Sequence, residues 1–61
     1  MPVWVSATRS EVWTKVRGGH WKADVAHRGD AVHLNYSDRK GEVRARVIYP
    51  AEGSSYAEIK E

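Results

Sequence analysis

Residues 31–49 read Ala-Val-His-Leu-Asn-Tyr-Ser-Asp-Arg-Lys-Gly-Glu-Val-Arg-Ala-Arg-Val-Ile-Tyr. Val32, Leu34 and Tyr36 alternate with Ala31, His33 and Asn35. After a polar break, Val43, Ala45, Val47 and Tyr49 alternate with Glu42, Arg44, Arg46 and Ile48. Period-2 alternation marks half-buried strands. The intervening Ser37–Gly41 is short, polar and glycine-terminated, which predicts a β-hairpin.

Working outward, His20–His27 gives a third strand, with Trp21, Ala23 and Val25 on one face and Lys22, Asp24 and Ala26 on the other. Arg28-Gly29-Asp30 turns the chain into Ala31, so residues 20–50 form the core of a meander. In the N-terminal third, Val3, Val5 and Ala7 alternate with Trp4 and Ser6, and Val12, Thr14 and Val16 with Trp13 and Lys15. Thr8–Glu11 reads as a polar turn, and Arg17-Gly18-Gly19 as another. A helix opening at Ser10 competes, but two β-branched valines and two glycines favour a strand. Pro50 ends the fifth strand for want of a ladder donor. Residues 51–61 form a short C-terminal tail, with Tyr56–Lys60 a sixth strand or a helical turn.

The expected fold is all-β: a small five-stranded antiparallel curled sheet or an SH3-like barrel, spanning 1–61 as one domain. Curling buries one face and reduces exposed edges. The expected core is Val3, Val5, Val12, Val16, Ala23, Val25, Val32, Leu34, Val43, Ala45 and Val47. With 61 residues, only about 60% of the unfolded surface is buried on folding. That leaves little room for a deep pocket and makes a strand-sharing homodimer the alternative. The chain has no cysteine, which excludes disulfides and cysteine-based zinc sites. It shows neither a basic-then-apolar leader nor the ~18 apolar residues of a membrane span. The expectation is a soluble, intracellular protein, cytoplasmic or nuclear, with no membrane partner.

The stretch Trp21-Lys22-Ala23-Asp24-Val25, a turn, then Val32-His33-Leu34-Asn35-Tyr36-Ser37-Asp38 and Gly41 resembles the Tudor and chromo-barrel group of SH3-like folds. The resemblance covers Trp13 to Pro50. It implies an aromatic cage for a methylated lysine or arginine, with Trp13, Trp21 and Tyr36 in the cage positions. Arg39 and Lys40 stand where many Tudor domains carry an aromatic residue and a glycine.

Net charge is +2, but residues 1–49 balance at +4 and residues 50–61 at −2. The cations therefore belong to the sheet. Alternation sets Trp4 and Trp13 opposite the valines, with Lys15, Lys22, Arg44 and Arg46 on the same outward side. Cations neutralise phosphates and aromatic rings stack on bases. The expected nucleic-acid-binding set is thus Trp4, Trp13, Lys15, Lys22, Arg39, Lys40, Arg44 and Arg46. Arg44 and Arg46, two apart on one strand, suit an anion clamp; pairing with Glu42 and Asp24 is the bland alternative.

Catalysis has little to stand on. The serines lie near no His/Asp relay, the carboxylates are scattered, and Gly18-Gly19 is no phosphate loop. His20, His27 and His33 have no recognised metal spacing. The sequence points to a binding module rather than an enzyme, with no cofactor or metal. Nucleic acid is the favoured partner; a protein or peptide, read by a Tudor-like module or a phage-type adaptor or inhibitor, is the alternative.

Overall fold

The computed structural model describes residues 3–61. Its elements are β1 (Trp4–Ala7), α1 (Arg9–Gly19), β2 (Lys22–Arg28), β3 (Ala31–Ser37), β4 (Val43–Tyr49) and β5 (Tyr56–Lys60). The strands form one antiparallel sheet in the order β1-β5-β4-β3-β2. Five strands were expected and five occur, but they are not the same five. Residues 12–16 are helical, and the expected tail supplies β5, which lies between β1 and β4.

The helix follows from its ends. Thr8 is the N-cap: its Oγ1 accepts from the Glu11 amide at 3.1 Å, and Glu11 Oε1 accepts from the Thr8 amide at 3.1 Å. This reciprocal box satisfies two amides that a helix start leaves unpaired. Val12 and Val16 then stand one turn apart on the face toward the sheet, and both are buried. Removing each from water contributes roughly 1.5–3 kcal/mol, which outweighs the few tenths of helix propensity that valine forfeits.

The expected turn at Gly18-Gly19 is the helix's last residues instead. The left-handed residue is His20, at φ 54° and ψ 42°. The His20 amide donates to the Val16 carbonyl, and so does that of Trp21 at 3.2 Å.

The sheet does not close into a barrel. Its edges, β1 and β2, stand at opposite ends of the strand order. Closure is unnecessary because α1 lies across β4 and β5 and covers the core there. That core is Val12, Val16, Ala45, Val47, Ala57 and Ile59, joined at its rim by Ala7, Trp21, Leu34 and Tyr36. Of the expected core, Val3 and Val25 are 56% and 59% exposed, and Ala23 is exposed too. Val3 precedes β1, while Ala23 and Val25 lie on β2, beyond the helix's reach. Ala57, Ile59 and Ile48 take their places as buried residues.

Candidate functional site

Strand register fixes what each face carries. On the helix side, Ala23 pairs with Tyr36 and Val25 with Leu34. Leu34 pairs onward with Val47, and Val32 with Tyr49. The helix covers only the β4–β5 half of this face. Where its flank meets the bare half, Arg9, Ser10, Val12, Trp13, Tyr36, Val47 and Tyr49 line an open groove of about 390 Å³. Trp13 is 57% exposed and Tyr49 37%, so the groove offers aromatic surface to solvent with one cation, Arg9, in its wall. Two of the three expected cage aromatics, Trp13 and Tyr36, meet here.

Trp21 does not join them. Its indole packs against Gly19 at the end of α1. There it lines a second groove with Glu11, Thr14, Lys15 and Gly18, on the opposite flank of the helix by the 100° step between residues. Tyr49 takes the third place in the Trp13–Tyr36 groove. Its signal was in the sequence: it shares the period-2 phase of Val47.

Among the described residues, no helix covers the other face of the sheet. Trp4 is half-buried there, and the Arg46 guanidinium lies 4.1 Å from its ring centroid. Arg46 Nε also donates to Glu58 Oε1 at 2.8 Å. Lys60 reaches Glu42 at 3.1 Å. Ile48 is buried on this face, between its cross-strand neighbours His33 and Tyr56.

Arg44 does not act beside Arg46. Tyr36 pairs with Ala45 and Ser37 with Val43, leaving Arg44 as the extra residue of a β-bulge. Its guanidinium lies 3.6 Å from the Asp38 carboxylate and 5.9 Å from the Trp21 ring centroid. The expected two-arginine clamp is therefore split between Glu58 and Asp38, not Glu42 and Asp24.

Asp38 organises the adjoining hairpin. Its Oδ1 accepts from the amides of Lys40 at 2.9 Å and Glu42 at 3.0 Å. Desolvation pushes its carboxyl up, but those two amides and the charges of Arg44 and Lys40 outweigh it and hold it below its ordinary value. Lys22 and Arg39 line a polar hollow with His20, Asp24, Ser37, Asp38 and Gly41. Four expected cations, Lys22, Arg39, Lys40 and Arg44, thus belong to this corner. Trp4 and Arg46 belong to the open face, and Trp13 and Lys15 to the helix. The eight residues do not share one surface, because residues 12–16 are helical rather than a strand.

Among the described residues, no three His, Asp or Glu side chains gather as metal ligands, and no helix is long and apolar enough to cross a membrane. No family model, curated protein or solved structure matches the chain.

Proposed function

We propose that the protein is an interaction module that takes an apolar peptide segment in the groove of Trp13, Tyr36 and Tyr49. The observation that carries this reading is the half-covered sheet: aromatic surface stands in solvent where α1 stops short of β3. Exposed apolar patches with a polar rim mark contact sites, and tyrosine and tryptophan are the residues that anchor them. Arg9 in the groove wall repels a cationic guest such as a methylated lysine. It favours a segment with an acidic residue beside its apolar anchor.

The test is a chemical-shift titration with short peptides carrying leucine or phenylalanine next to aspartate, against matched peptides carrying lysine. Shifts confined to Trp13, Tyr36 and Tyr49, lost in W13A, support the reading. Silence at these three residues with every peptide rejects it.

A second reading rests on the open face. Trp4 under Arg46, with exposed Tyr56 and with Lys60 near by, has the elements of a stacking platform for single-stranded nucleic acid. Arg46 and Lys60 each already hold a carboxylate, which lowers the charge left for phosphates. Titration with single- and double-stranded DNA and RNA at two salt concentrations separates the two. Salt-sensitive binding that shifts the Trp4 indole, and not Trp13, favours nucleic acid.

A further inference from the structure

Strand β2 is unusual among the five: six of its seven residues are exposed. It is an edge strand: among the described residues, β3 lies on one side and no strand on the other. Edges are ordinarily blunted by charge, brevity or a bulge. The other edge, β1, has only four residues. β2 has seven, pairs in unbroken register with β3 from Lys22 to Arg28, and carries Val25 at 59% exposure.

The backbone shows which groups are free. Arg28 pairs with Ala31 across a two-residue connection, and Gly29 has φ 62°. Asp30 is not in the positive-φ region, so this is a type II′ turn. Such a turn makes Arg28 and Ala31 a hydrogen-bonded pair. The alternation of antiparallel pairing then turns the amides and carbonyls of Lys22, Asp24, Ala26 and Arg28 toward β3. Those of Ala23, Val25 and His27 point away from the sheet, without a strand to receive them.

The charges on β2 complement themselves. Cross-strand partners must share a face, so two copies pair antiparallel about a single residue. A two-fold at Val25 sets Lys22 against Arg28 of the second copy, a repulsion occurring twice. One at Asp24 sets that carboxylate against itself, and one at His27 sets Asp24 against Asp30. A two-fold at Ala26 sets Asp24 against Arg28 and Lys22 alongside the Asp30 turn, and symmetry repeats both pairs. Of the two-folds at Asp24, Val25, Ala26 and His27, only this one brings no like charges together, and it meets the small side chain of Ala26 with its own copy at the axis.

We infer that β2 is a self-association edge, through which two copies join antiparallel about Ala26 into one ten-stranded sheet, with Asp24 of each facing Arg28 of the other. Charge pairing supplies the register, and the outward amides of Ala23, Val25 and His27 supply the ladder. Val25 then loses its exposed edge to His27 of the second copy. The edge is separate from the Trp13 groove, so the inference stands independently of the proposed ligand.

Sedimentation equilibrium from micromolar to millimolar protein tests this, on wild type and on D24K, R28E and the D24K/R28E double variant. Wild type is expected to dimerise. Each single reversal sets like charges opposite one another twice and is expected to weaken the dimer at least about tenfold, the equivalent of about 1.4 kcal/mol. The double variant restores opposite charges and is expected to recover the dimer. A wild type that stays monomeric, or a dimer indifferent to the single reversals, overturns the inference. Amide exchange of the wild type gives a second measurement that needs no variant. Ala23, Val25 and His27 are expected to gain protection as concentration rises; unchanged exchange at all three also overturns it.

Discussion

The indole of Trp21 lies so close to Gly19 that a Cβ at position 19 would overlap its ring. Gly18, one residue earlier in the same helix, faces open space. Two adjacent helical glycines therefore have opposite reasons to be there. Alanine at 18 gains helix propensity with nothing to strike, and G18A is expected to stabilise the protein by about 0.5–1 kcal/mol. Alanine at 19 gains the same propensity but must displace Trp21 from the core rim. G19A is expected to destabilise by about 1–3 kcal/mol. Urea denaturation of both variants checks the pair; equal effects would contradict the packing account.

His20 holds the left-handed position that ends α1. A side chain there costs roughly 1–2 kcal/mol, and histidine is only partly suited to it. H20G removes the strain while adding chain entropy to the unfolded state. The net expectation is a gain of about 0.5–1 kcal/mol, read as a thermal midpoint higher by ~4–8 °C per kcal/mol.

On the open face, Arg46 is held twice, by the Trp4 ring and by Glu58. R46A is expected to cost about 1 kcal/mol and to shift Trp4 fluorescence. R46K keeps the charge but loses the planar stack, so it is expected to recover only part. E58Q frees the guanidinium. If the open face binds nucleic acid, E58Q raises low-salt affinity, whereas peptide binding at Trp13 is unaffected.

Asp38 gives the fold an acid limb. Its folded pKa is depressed below the ordinary value of 3.8. Its stabilisation is therefore complete above about pH 5 and is lost as pH falls through the unfolded and then the folded value. D38N keeps one amide-accepting oxygen but cannot titrate. The stability difference between wild type and D38N is expected to be flat above about pH 5 and to shrink below pH 4. Denaturant midpoints across that range check it; a difference that grows on acidification would contradict the account.

Where a strand pairs with its chain neighbour, local pattern suffices. β2, β3 and β4 are legible from alternation and turn chemistry because each one's partner is the next segment along. Residues 12–16 are ambiguous: Val12, Thr14 and Val16 fit period 2, yet Val12 and Val16 also fit one helical turn. Thr8 and Glu11, at capping-box spacing, hold the information that decides it. Residues 56–60 fit a strand and a helical turn equally, because the pairing of β5 with β1 joins distant parts of the chain, which no local pattern reports. The candidate site divides the same way. The resemblance groups Trp13 and Tyr36 with Trp21, which lines a different groove, and Arg46 meets Trp4 only because β5 separates their strands by one place. Arg44 parts from Arg46 through a bulge that alternation does not announce.

The central place of β5 also sets an order of events during synthesis. The β2–β3–β4 meander is complete once Tyr49 has left the ribosome, and α1 can form earlier still. Neither can bury its apolar face, because Ala57 and Ile59, which complete the core under Val12 and Val16, are made afterwards. β1 is made well before β5, the strand it pairs with, and the mutual hydrogen bonds of Val3 and Glu61 extend that pairing. The nascent chain is thus expected to keep that apolar face exposed until residues 56–60 dock beside β4 and give β1 its neighbour, so that one late strand completes both the sheet and the core.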